Sequence, residues 1–170
     1  MKNIRIALTG FMGVGKSSVA RHLSRLIEAH SVDLDSFIEE TESRTVVDMI
    51  DSDGEEAYRA VESRCLERVV NDSEVTIISL GGGAFATQLN REILRKKGIV
   101  TVWLESTFEH CWYNIKASKK ERPLARDKGK ARKLFEERQR IYCLADSHII
   151  IRPEFTSYDI AKQIAEQIFA

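Results

Sequence analysis

The chain has 170 residues, the size of one domain with a single substantial core. Its 26 basic and 26 acidic residues cancel, which argues against a nucleic-acid or membrane-surface binder, since either would need a net basic face. No apolar run approaches the roughly 18 residues of a transmembrane helix, and Cys65, Cys111 and Cys143 lack metal-ligand spacing, reading instead as small core residues of a reducing compartment.

In chain order, residues 4–8 form the first strand-like run, followed by 31–34, 75–80, 99–104 and 148–151. Most are rich in Val and Ile and nearly continuous, as strands buried on both faces should be. The first run follows the N-terminus directly, without a signal peptide's long apolar segment and small-residue cleavage site; a cytoplasmic chain is the expectation. Helical segments are expected at 16–29, 36–42, 53–71, 90–97, 107–117, 131–144 and 156–169. In the third, Tyr58, Val61, Cys65, Leu66 and Val69 make the core face. Ser106 with Glu109, and Thr156 with Asp159, fit the capping-box pattern. Strands alternating with helices imply an α/β fold, a parallel sheet covered on both sides. No repeat or linker divides it, so residues 1–170 are read as one domain.

After the first strand, Gly10-Phe11-Met12-Gly13-Val14-Gly15-Lys16-Ser17 matches G-x-x-x-x-G-K-S/T and opens a helix, the context a phosphate-binding P-loop requires. The glycines let backbone N–H groups wrap a phosphate, and the helix start adds a positive dipole end. Lys16 supplies a cation for the β- and γ-phosphates, and the Ser17 hydroxyl is a ligand for Mg²⁺. The guanine-reading N-K-x-D is absent, and Asp51-Ser52-Asp53-Gly54 reads as an ordinary start to a helix. The strand at 75–80 runs into Gly81-Gly82-Gly83 rather than ending in Asp-Glu, which points towards small-metabolite kinases.

Asp33 and Asp35 lie two apart at the end of the second strand, so both carboxylates would face one side there. One would hold a water of the Mg²⁺ shell and the other orient or deprotonate an acceptor hydroxyl; a helix N-cap pair is the competing explanation. The triple glycine fits either a close approach to substrate or a tight turn. Arg59, flanked by Glu55 and Glu62, is either a surface ion-pair cluster or a guanidinium held for an anionic substrate. Arg138 lies in Glu136-Glu137-Arg138-Gln139-Arg140, where a solvated face is the usual explanation. Lys119–Lys130 is either a basic exposed loop or a lid in which Arg122 stabilises charge on a transferring group.

The P-loop, the D-x-D, the Arg–Glu helix, the triple glycine and Arg122-Pro123-Leu124 followed by a helical arginine stand in an order that resembles shikimate kinase over nearly the whole chain. The resemblance implies a three-layer P-loop NTPase fold, nucleoside-monophosphate-kinase-like, with a five-stranded parallel sheet in order 2-3-1-4-5 and helices on both faces. It implies ATP, Mg²⁺ and phosphorylation of shikimate at its 3-hydroxyl within chorismate biosynthesis, with an acceptor-binding segment near 34–62 and a lid near 118–131. Carried over by position, Lys16, Asp35 and Arg122 are catalytic. Gly13, Val14, Gly15, Lys16, Ser17, Ser18 and Arg122 hold ATP, more loosely joined by Arg152. Asp35, Arg59, Gly81, Gly82, Gly83 and Arg138 hold shikimate, and Ser17 holds the metal with Asp33 acting through water. ATP and shikimate are the expected partners of a monomer, without nucleic acid or membrane. Two positions depart from the family's pattern: Ala125 follows R-P-L where a second leucine is usual, and Ile115 stands where an arginine often lies near adenine. Another small-metabolite P-loop kinase, such as one for gluconate, and a non-catalytic nucleotide-binding regulator are the alternatives.

Overall fold

All four residues of β1 (Ile6–Thr9) are 0% exposed. Successive strand residues face opposite sides of a sheet, so this strand is covered over both faces, as a continuous apolar run requires. It is the middle strand of a five-stranded sheet ordered β2-β3-β1-β4-β5, with β2 at His30–Asp33, β3 at Val75–Ser79, β4 at Val100–Glu105 and β5 at Ser147–Ile150. All neighbouring pairs are parallel; Ile6 lies level with Ile77 on one side and Val100 on the other. The computed structural model describes residues 4–170. Order and direction are those expected from the sequence.

Helices α1 (Lys16–Leu26), α2 (Leu34–Glu42), α3 (Val46–Asp53), α4 (Glu55–Asn71), α5 (Gln88–Lys96), α6 (Phe108–Ala117), α7 (Lys128–Tyr142) and α8 (Ser157–Ile164) surround the sheet. The Thr156–Asp159 capping box forms as expected. At α6 the cap is instead Thr107, whose side chain accepts from the His110 N–H, and not Ser106 with Glu109. Thr107 stands one residue nearer the first helical turn, where its oxygen reaches the third free N–H.

Three further differences bear on the site. β2 stops at Asp33, whose carboxylate accepts from the Ser36 N–H and caps α2. Asp35 therefore lies in the first turn of a helix, not on a strand beside Asp33. Residues 46–53, expected to be irregular up to Asp53, form α3, capped by Thr45. Gly54, at φ 89°, starts α4 as read and also closes α3. At the lid, the Asp127 carboxylate accepts from the Lys130 N–H and starts α7 at Lys128, so the irregular stretch ends about four residues earlier than expected, with a 3-10 turn at Pro123–Ala125. Cys65 and Cys111 are buried as read, but Cys143 is exposed at the end of α7.

Candidate active site

β1 delivers the chain at the carboxyl edge of the sheet, where ligands of parallel α/β folds bind, and residues 10–15 loop back into α1. Gly13 has φ 79°, and a Cβ there would stand 2.5 Å from the Cys111 carbonyl oxygen on α6. Only glycine permits that approach. The Asn114 amide, one turn on, donates to the Gly13 carbonyl at 2.8 Å and pins the loop from α6.

Lys16 is only 8% exposed, and its Nζ donates to the carbonyls of Gly10 (2.6 Å) and Phe11 (3.0 Å). Burial pushes the ammonium down to about 8, against the opposing pull of Asp35 and Asp33. The Ser17 hydroxyl donates to the Asp33 carboxylate, with the Ser79 hydroxyl 3.4 Å away. A hydroxyl beside a carboxylate at a phosphate loop is a set of hard oxygen donors, which suits Mg²⁺. Among the described residues no group of three or more His, Cys, Asp or Glu gathers to hold a metal by itself.

A cleft of about 950 Å³ opens from the P-loop towards α2, α3 and α4. Of the residues singled out from the sequence, Gly13, Gly15, Lys16, Ser17, Ser18, Asp33, Asp35, Arg59, Gly81, Gly82, Gly83, Arg122 and Arg138 line it. Val14 is instead buried beneath the loop, and Arg152 lies outside, over the Phe155 ring. Ile115 is buried against Gly13.

At the far end of the cleft, both carboxylate oxygens of Glu62 accept from Arg59 Nη1 at 3.0 Å, while Arg59 Nη2 meets Glu55 at 3.2 Å. Burial alone would lower the guanidinium; the Glu62 carboxylate more than offsets it and raises Arg59 above its ordinary value. Arg138 on α7 is 5% exposed, and its Nη1 has no hydrogen-bond partner among the described residues. A buried guanidinium nitrogen without a partner is costly, and the residue lines the cleft, where its cation is available to an anionic ligand.

The triple glycine makes room for this group. A Cβ at Gly81 would stand 2.8 Å from Asp35 Oδ1, one at Gly82 would press on Met12 (3.0 Å) and Arg138 (3.5 Å), and one at Gly83 would enter the Arg59 guanidinium. The Tyr142 hydroxyl donates to the Gly82 carbonyl and ties the turn to α7.

Ser118 and residues 120–124, from the segment read as a lid, also line the cleft, and the segment reaches α2 and α3. Lys120 Nζ is 3.4 Å from Asp35 Oδ2. Arg122 is half-buried, lowered by desolvation with Asp35 opposing, and donates to the Lys120 carbonyl. Arg126 forms a two-pronged pair with Asp51 on α3, at 3.1 and 2.8 Å, and also meets Glu121 at 2.7 Å.

A sequence model of the shikimate kinase family matches residues 12–169. The chain belongs to the shikimate kinase family. A shikimate kinase of Sulfurihydrogenibium sp. (strain YO3AOP1) is 37% identical over 150 residues, 88% of this chain and 87% of that one. Another, from Persephonella marina, is 32% identical over 168 residues and covers 99% of both chains. The structure of shikimate kinase from Acinetobacter baumannii in complex with shikimate superposes with a TM-score of 0.89 at 29% identity, over 98% of this chain and 93% of that one. The chain is thus a P-loop kinase, a shikimate kinase by family.

Four cleft features of this shikimate kinase family member were not singled out from the sequence: the Asn114 clamp, α3, Lys120 on Asp35 and the Arg126–Asp51 pair. For Thr45 a signal existed, a capping residue before a short apolar run. For the two lid pairs there was none, because they join residues 85 and 75 positions apart.

Proposed function

We propose that the cleft performs the family's reaction through the residues assigned above: ATP lies on Gly13–Ser18, and shikimate lies between Asp35 and the two arginines. The observation that carries this reading is Arg138, a buried guanidinium whose Nη1 lacks a partner and which shares one cleft with the P-loop lysine. A small acceptor bearing a carboxylate would meet the Arg138 cation in that cleft, and Arg59, preset by Glu62, supplies the second cation.

Held by its carboxylate, the acceptor presents a hydroxyl to Asp35, which takes the proton as the hydroxyl oxygen attacks the γ-phosphorus. The bond from that phosphorus to the ADP oxygen breaks in the same displacement. Lys16 neutralises charge on the β- and γ-phosphate oxygens, and Arg122 approaches them from the lid. Ser17, with Asp33 acting through water, would hold Mg²⁺, whose role when bound is to offset phosphate charge. Among the described residues no helix is long and apolar enough to cross a membrane.

ADP release coupled to a fluorescent or absorbance reporter, run with shikimate, gluconate and related hydroxy-acids, tests the reading. Shikimate-dependent turnover that exceeds the others by orders of magnitude is expected. Preference for gluconate would move the chain to another acceptor, and ATP binding without acceptor-dependent turnover would make it a nucleotide sensor.

A further inference from the structure

Tyr58 stands between two carboxylates. It lies on α4, one turn before Glu62, and is 3% exposed. Its hydroxyl is 3.4 Å from Asp35 Oδ1 and 3.4 Å from Glu62 Oε2. Burial and the two nearby carboxylates raise the phenol well above its ordinary range, so it is a donor at every working pH. A phenol has one proton to give, and the two acceptors differ in need. Glu62 already takes a bond on each oxygen from Arg59. Asp35 has, among the described residues, only Tyr58 and the half-exposed lid cation Lys120.

We propose that the Tyr58 hydroxyl is a positioning residue for the acceptor, fixing the distance between the carboxylate seat at Arg59–Glu62 and the carboxylate of Asp35. The inference rests on the reading of Asp35 and Arg59 as opposite ends of one acceptor site. An acceptor that spans them gains both contacts at full strength only if their separation is set before it arrives. The phenol does this in two ways. It places a proton where Asp35 and Glu62 would otherwise face one another as like charges, and its ring, buried in the core, gives that proton a fixed origin. At 3.4 Å both contacts are longer than the usual 2.7–2.8 Å of an O–H···O bond, so the one proton can close on Asp35 when the acceptor binds without moving the helix.

Tyr58→Phe removes one oxygen and keeps the ring. For this variant kcat/KM for shikimate should fall about tenfold, with the ADP dissociation constant and Tm nearly unchanged. Shikimate titrated calorimetrically into the Asp35→Asn background then separates a route through Asp35 from a general effect: there, adding Tyr58→Phe should change affinity less than twofold. A Tyr58→Phe enzyme within twofold of the parent on shikimate overturns the proposal while the acceptor site stands. Equal losses for shikimate and ADP, or a large drop in Tm, overturn it in favour of simple packing. Wild-type enzyme without shikimate-dependent turnover removes the acceptor reading itself, and the proposal with it.

Discussion

Gly83 lies so close to the Arg59 guanidinium that a Cβ on it would stand 2.6 Å from Arg59 Cζ. The glycine at the end of β3 and the arginine on α4 are thereby one device: the backbone gives up a side chain so that a cation held by Glu62 and Glu55 can lie flat against it.

Gly83→Ala should therefore act on the acceptor. The clash falls on the far end of a flexible side chain, so the fold should lose no more than about 1–2 kcal/mol, while the shikimate KM rises at least about tenfold as Arg59 swings away. Gly13→Ala makes the contrast, because its Cβ meets a backbone carbonyl at 2.5 Å and the φ of 79° is itself costly. That variant should lose nucleotide affinity and Tm together. Titrations of ADP and shikimate against both variants check the pairing; a Gly83→Ala protein with an unchanged shikimate KM would leave Arg59 without an acceptor role.

Arg138 leads to an exchange between stability and binding. Among the described residues its Nη1 is buried and unpaired, and such a group costs about 1–3 kcal/mol. Arg138→Met keeps the apolar stem and removes the charge, so the ligand-free protein should gain in urea-denaturation stability by about that amount or stay level. Shikimate binding should weaken by about 2–5 kcal/mol, and ADP binding should change little. A variant that is both less stable and equally weakened for both ligands would mark Arg138 as a structural residue.

The nucleotide side was legible in the sequence because its parts are local: a strand, three glycines, a lysine and a serine within twelve residues, 6–17, followed by a helix. The sheet order was legible through the resemblance, and it is the order found. The acceptor side could be named through the resemblance but not read from the residues themselves. Arg138 sits among Glu136, Glu137 and Arg140, and only the packing of α7 over the turn at Gly82 turns that one arginine inward while its neighbours stay in solvent. The D-x-D pattern suggested two carboxylates on one strand; the chain instead uses the first to cap α2 and sends the second into the cleft from the helix. The cap is formed by Asp33, and both carboxylates line the cleft.

Lys16 gives a pH signature. Its free-enzyme value of about 8 lies below the unfolded 10.5, so between those limits the unfolded chain binds more protons than the folded one. The penalty for burying a charged lysine is thus fully present below pH 8 and is relieved as pH rises towards 10.5. Phosphate oxygens beside Nζ restore the charge. ADP binding near pH 8.5–9 should then take up about half a proton or more, whereas at pH 6.5 this group contributes none. Calorimetry in buffers of different ionisation enthalpy reads the uptake directly. Lys16→Met should abolish the uptake and nearly all turnover with the fold intact; the same uptake in that variant would assign the proton elsewhere.

The lid makes the last test. Arg122 is half-buried and, among the described residues, has no carboxylate partner and donates only to the Lys120 carbonyl, so its guanidinium can meet charge that arrives with the nucleotide. The Arg126–Asp51 pair fixes the same segment to α3, but both partners are about half-exposed, and such a pair adds only about 0.2–1 kcal/mol. The tie orients the lid without locking it. Arg122 should then contribute mostly as charge shifts on the transferring phosphoryl group, not when ATP docks. Arg122→Ala is expected to lower kcat and kcat/KM for ATP together, by about 100-fold or more, with the ADP dissociation constant within about threefold of wild type. Arg122→Lys should recover only part of the loss, because an ammonium lacks the planar fork that spans two oxygens. Amide exchange supplies an independent reading: residues 118–127 should be weakly protected in the free enzyme and gain protection when ADP and shikimate are both bound. A raised dissociation constant with kcat preserved would make Arg122 a ground-state contact. Unchanged exchange with a silent Arg122→Ala variant would leave the transferring charge to Lys16 and the metal alone.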